Sequence, residues 1–215
     1  MIRVLVLGIS IFSFGFIQGQ NEAFIDSLKS HPENQILILK SNCVGCLVIN
    51  HPCEEYYENG NPWNQYIIWK NNEGYHLKRF NNCGSSAALN LKKWKGKPFE
   101  LLDNKSTEID STKLKYPLSY NTKDSLWFET EINHYEYFQF SFPSHSIAEM
   151  EIKKYAFREE KQSDDIWENA NFEFKKNRKR YFFNNSTAIK FLLDNLIMVL
   201  NKNEQKLKII NKLEN

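Results

Sequence analysis

The chain has 215 residues, is 41% hydrophobic and 25% charged, and sets 28 Lys and Arg against 26 Asp and Glu. A formal charge of +2 excludes a protein that coats polyanions by bulk charge, and an aromatic content of 14% supplies enough large apolar surface for a packed core rather than a disordered chain. Length alone allows one domain or at most two small ones.

The N-terminus opens with Arg3 and an almost wholly apolar run from Val4 to Ile17, closed by Gln18-Gly19-Gln20. Such a run is shorter than the roughly 20 residues a permanent membrane helix needs. The pattern reads as a secretory signal over residues 1–19, which predicts a mature chain of residues 20–215, a periplasmic or secreted location and no integral membrane segment after cleavage.

Residues 21–30 place Phe24, Ile25 and Leu28 on one side of a short helix that His31-Pro32 ends. A strand over Gln35–Lys40 follows and leads into a turn containing Cys43 and Cys46; with Cys53 and Cys83 the spacing is C-x2-C-x6-C-x29-C. Four cysteines in an exported chain read first as two disulfides. A bridge from Cys83 back to the cluster would close a loop of roughly 30–40 residues, worth about 3–4 kcal/mol in the chain-entropy model. The alternatives are a zinc site on the four thiolates, with His51 or His76 replacing one of them, or a thiol-disulfide oxidoreductase pair at Cys43 and Cys46. Pro52 and the strand-like Leu47-Val-Ile-Asn50 weaken the redox reading, because a reactive thiol of this kind needs a helix behind it.

Tyr66–Lys70 and Tyr75–Phe80 are two β-prone runs around Asn71-Asn-Glu-Gly74, the strongest hairpin signal in the chain. On the second run Tyr75, Leu77 and Arg79 share one face, and His76, Lys78 and Phe80 the other. Ser85 to Pro98 suggests a short helix stopped by Gly96 and Pro98. Residues 103–123 are rich in Ser, Thr, Lys and Asn with little periodicity, and read as an internal linker or a surface excursion of one continuous domain.

Leu126 to Phe142 alternates as strands, with Glu136, Phe138, Phe140 and Phe142 on one parity, until Pro143 stops it. The basic run Lys175 to Arg180, followed by Tyr181, Phe182 and Phe183, has the composition of a patch for phosphate, nucleic acid or an anionic envelope surface. Near-neutral charge and export make it read instead as a solvated strand turn, with no nucleic-acid partner. The last element, with Ile189, Leu192, Leu193, Leu196, Val199 or Leu200, and Leu207 in register, is an amphipathic helix capped by Asn185 or Ser186. The fold expected is α+β, a mostly antiparallel sheet packed against this C-terminal helix.

The chain lacks H-E-x-x-H, G-x-S-x-G, P-loop and dinucleotide patterns. His134 and Glu136 share a strand face, and with His145 they form the one histidine and carboxylate group suited to zinc binding or general acid-base work in a metal-assisted hydrolase. Phe138 and Phe140 on the same parity mark that face as core. The aromatic set Trp63, Tyr66, Trp69, Tyr75, Trp127 and Tyr135 is suited to a protein, peptide or glycan platform wherever its members stay exposed. The sequence as a whole predicts an exported, disulfide-stapled binding or interaction module that needs no cofactor.

Overall fold

The computed structural model describes residues 21–44, 64–81, 84–121, 126–129, 135–159 and 174–212. A helix over residues 21–29 (α1) precedes β1 (Gln35–Val44), β2 (Asn64–Asn71), β3 (Gly74–Asn81), β4 (Gly84–Ser86) and β5 (Leu89–Asn90). Then come α2 (Pro98–Ser111), β6 (Leu118–Asn121), β7 (Leu126–Glu129), β8 (Tyr135–Ser141) and β9 (Met150–Lys153), with a single 3-10 turn at Lys154–Phe157. The chain continues through α3 (Phe174–Asn185), α4 (Ala188–Asn203), a 3-10 turn at Glu204–Leu207 and β10 (Ile209–Lys212).

The main sheet has the order β10-β4-β3-β2-β1-β8-β9, with β5 also on β3, and β6 and β7 form a separate hairpin. Every pairing is antiparallel. The architecture is therefore the mixed α+β fold expected, a multi-strand antiparallel sheet against a long C-terminal helix.

The period-2 patterning of the strands divides the side chains between two layers. Leu37, Leu39, Ile68, Leu77, Phe138, Phe140 and Ile152 face α2 and α4, whose Phe99, Leu102, Ile109, Ile189, Leu192 and Leu196 complete one large core. The opposite parity, Ile36, Ile38, Ile67, Trp69 and Phe80, is covered by α1 through Phe24, Ile25 and Leu28, as the sequence pattern indicates. Burying a side chain of this size is worth about 1.5–3 kcal/mol, so the larger layer dominates the fold.

The hairpin forms in the expected register, Lys70 opposite Tyr75 and Asn71 opposite Gly74. Gly74 has φ +130°, a conformation that L side chains rarely adopt, and the Asn71 carboxamide oxygen accepts the Glu73 N–H at 2.9 Å to close the turn.

Three local expectations are corrected. The helix placed before Pro98 begins at it: Gly84–Ser86 and Leu89–Asn90 form β4 and β5, and Pro98 opens the first turn of α2, where its missing N–H costs nothing. The basic run is not a strand turn but part of α3. The cap of α4 is Thr187, whose side chain accepts the Lys190 N–H, rather than Asn185 or Ser186.

Among the described residues no helix is long and apolar enough to cross a membrane.

Candidate functional site

The structure does not bear out the disulfide expectation. β1 runs on through Val44, so Cys43 lies within a ten-residue strand, opposite Glu136 of β8, and not in a turn that starts a helix. Cys43 is therefore not at a helix N-terminus, the feature by which the redox reading would lower its thiol pKa. Among the described residues there is no disulfide bond, and the disulfide-stapled module is not what the structure supports. Cys46, Cys53, Cys83 and His51 lie outside the described residues. His76, the other candidate zinc ligand, is buried: it stacks on Trp69 with ring centroids 5.0 Å apart, and its Nε2 donates to the Asn71 side-chain oxygen at 3.0 Å.

The hydrolase constellation is also overturned. Glu136 forms an ion pair with Lys154, whereas His145 is bound to Asp103 and Ser144, and His134 lies outside the described residues. No group of three His, Cys, Asp or Glu side chains among the described residues is arranged to hold a metal ion.

His145 does enter a chain that resembles a nucleophile, base and orienting acid. Its Nδ1 is 3.2 Å from Ser144 Oγ and its Nε2 is 3.0 Å from Asp103 Oδ1, with Phe99 stacked against the ring. A carboxylate only accepts, so Nε2 carries the proton. Yet Ser144 Oγ already accepts the Ile36 N–H at 2.7 Å, and neither hollow described below reaches it. The group works as a clasp that ties the β8–β9 loop to β1 and α2.

Among the described residues, one concave feature lies at the β8–β9 end of the sheet. A cleft of about 730 Å³ opens between Tyr135, Glu136 and Phe138 of β8, the turn at Lys154–Phe157 with Arg158, and Tyr181, Asn185, Lys190, Leu193, Asp194 and Ile197 of α3 and α4. That volume is within the range of small-molecule sites, roughly 300–1,000 Å³. Rings of Tyr135, Tyr155, Phe157 and Tyr181 form its walls and Leu193 and Ile197 contribute aliphatic surface.

Local chemistry holds those walls in place. Tyr135 and Tyr155 pack edge to face with centroids 5.5 Å apart, and Lys153 Nζ sits 5.3 Å from the centroids of both Tyr116 and Tyr135. Burial pulls the Lys153 pKa down, but Tyr155, Tyr135 and Tyr116 together outweigh it and hold the ammonium above its ordinary value. From α3, the Arg180 guanidinium donates to the Ala156 and Arg158 carbonyls at 2.7 and 2.9 Å, while the Asn184 amide donates to Ala156 and Lys115. These bonds pin the 3-10 turn, and with it Arg158, against the helix.

The charges in the cleft are unequal in their commitments. Lys154 pairs with Glu136, and Lys190 with Asp194 at 2.6 Å. Among the described residues the exposed Arg158 guanidinium has no carboxylate or carbonyl partner. A second hollow, of about 80 Å³ between Arg79, Tyr66, Leu200 and Leu207, falls well below the roughly 300–1,000 Å³ of small-molecule sites.

Of the proposed aromatic platform, Trp69 and Tyr75 are buried, Tyr66 packs against the core, and Tyr135 alone among the described side chains lines the cleft. Trp63 lies outside the described residues, as does the side chain of Trp127. No family model, curated protein or solved structure matches the chain.

Proposed function

We propose that this domain binds a small amphiphilic ligand, with an aromatic or apolar body and one anionic group, in the cleft between β8, the Lys154–Phe157 turn and the α3–α4 corner. The observation that carries this reading is the combination of aromatic walls with an Arg158 guanidinium that lacks a partner among the described residues. A guanidinium offers a planar fork of donors suited to a carboxylate, sulfonate or phosphate, and the rings and aliphatic side chains suit the remaining body of such a molecule.

Fluorescence titration with 1-anilinonaphthalene-8-sulfonate, an aromatic body bearing one anion, tests the reading. Arg158→Gln is expected to weaken the probe by about tenfold or more, in line with a charge-assisted hydrogen bond. Ile197→Trp is expected to displace it by filling the cleft, and Phe191→Ser, outside the cleft, to leave it unchanged. Affinity that ignores both cleft substitutions would show that the probe sits elsewhere and remove the case for this site.

A further inference from the structure

Helix α3 inverts the usual order of a surface helix. Its buried positions are Asn177, Arg180 and Asn184, and its outward positions include Phe182 and Phe183, which are 58% and 41% exposed. The inversion has a mechanical cause: Arg180 and Asn184 are spent on the carbonyls of Ala156, Arg158 and Lys115, so the inward face is filled by donors and the rings are left outside.

The charges around these rings have one sign. From Phe174 to Asn185 the helix contains Lys175, Lys176, Arg178, Lys179 and Arg180 and no Asp or Glu. Arg178 and Phe182, and Lys179 and Phe183, stand at i and i+4, so cations and rings share one outward stripe. The Arg178 guanidinium lies 5.8 Å from the Phe182 ring, and Lys115 Nζ, from the segment after α2, lies 4.2 Å from the Phe183 ring. Among the described residues neither Arg178 nor Lys179 pairs with a carboxylate.

We infer that the outward stripe of α3 docks the domain on an anionic lipid surface, with Phe182 and Phe183 entering the headgroup boundary and Arg178, Lys179 and Lys115 meeting lipid phosphates. Exposed rings beside cations that pair with no carboxylate among the described residues, on one helix face, are the chemical signature of an interfacial helix. A nucleic acid is the weaker partner for the same cations, because the chain as a whole carries only +2 and the two exposed phenyl rings suit a headgroup boundary. Phe191 and Met198 are also exposed, on α4, but Lys190 and Asp194 beside them neutralise each other, and no charge there selects a partner. The inference is independent of the ligand assigned to the cleft.

Co-sedimentation of the full chain with phosphatidylcholine vesicles, with and without about one third phosphatidylglycerol, tests it. Binding is expected to rise at least tenfold with the anionic lipid, to fall as salt is added, and to lose that gain in Arg178→Glu/Lys179→Glu and in Phe182→Ser/Phe183→Ser. The apolar run is common to all these chains, so it does not account for a difference between them. Far-UV circular dichroism checks that each variant keeps its helix content, and Arg178→Gln/Lys179→Gln supplies a milder second pair. Equal binding to both vesicle types, a gain indifferent to the substitutions, or tighter binding to polyuridylate than to anionic vesicles would each overturn the inference, the last in favour of a nucleic-acid surface.

Discussion

Ser144 takes the place of a strand residue opposite Ile36. Its Oγ accepts the Ile36 N–H at 2.7 Å and lies 3.3 Å from the Ile36 carbonyl oxygen. The β1–β8 register pairs Ile38 with Ser141, and continuing it by two residues sets Pro143, which has no N–H, against Ile36. The hydroxyl one residue on donates to the Ile36 carbonyl in place of the missing proline N–H, and accepts the Ile36 N–H as well. Ser144→Ala is therefore expected to cost about 1–2 kcal/mol by leaving a strand N–H without its partner, measured by urea denaturation. A fluorophosphonate probe is expected to leave Ser144 unlabelled, since its oxygen serves the backbone; labelling would restore the catalytic interpretation of the Ser144, His145 and Asp103 chain.

Gly96 fixes how closely the loop before α2 approaches α4. A Cβ built there would fall 2.4 Å from Cγ and 2.9 Å from Cβ of Asn195. Gly96→Ala is expected to destabilise by about 1–3 kcal/mol through overpacking. The double variant with Asn195→Ala is expected to lose less than the sum of the two single changes, and strict additivity in a denaturation cycle would contradict the contact.

Glu108 joins α2 to the start of α4. Its carboxylate accepts from Lys105 Nζ at 2.7 Å and from the Ala188 N–H at 3.3 Å. The Lys105 hydrogen bond, the largest cause, holds its pKa below the ordinary value against an opposing desolvation, with the Lys105 charge and the Ala188 N–H adding to the lowering. A carboxyl depressed in the folded state binds fewer protons there than in the unfolded chain. Its stabilising effect is thus complete above the ordinary glutamate pKa and is lost as pH falls through the lowered one. Thermal midpoints of the parent and Glu108→Gln should differ near neutral pH and converge in acid; curves that stay parallel would contradict the linkage.

Lys97 enters α2 with φ 41° and ψ 60°, left-handed backbone at a residue other than glycine. Lys97→Val, with a β-branched side chain, is expected to cost more than ~1 kcal/mol, whereas Lys97→Gly is expected to be neutral or slightly stabilising despite losing the 2.8 Å contact to Glu100. A denaturant midpoint below the parent for Lys97→Val, with that of Lys97→Gly at or above the parent, would bear this out, and the reverse order would contradict it.

The elements legible in the sequence are those whose apolar residues point inward. Phe24, Ile25 and Leu28 announced α1, the alternation around Asn71–Gly74 announced the hairpin, and the spacing from Ile189 to Leu200 announced α4. Helix α2 is faint because Phe99, Leu102 and Ile109 are its main buried anchors and the helix is kinked at Lys105. Helix α3 is invisible to the same logic, since its buried side chains among those described are Asn177, Arg180 and Asn184, and the carbonyls that Arg180 and Asn184 bind belong to distant segments. The cleft was half visible: Tyr135 and Glu136 stood out, but Arg158, Tyr181, Lys190 and Ile197 come from other elements, and only the folded chain brings them together.

The central place of β1 also governs how the molecule assembles in time. It pairs on one side with β2 and on the other with β8, joining Ile38 to Ser141 across nearly half the chain. The β2–β3 hairpin is local and closes on a microsecond scale, but the β1–β8 half of the sheet must wait until a long loop has been gathered. Until then the inward faces of β1 and β8 are uncovered together, so refolding yield should fall with protein concentration more steeply than the stability of the finished domain would suggest.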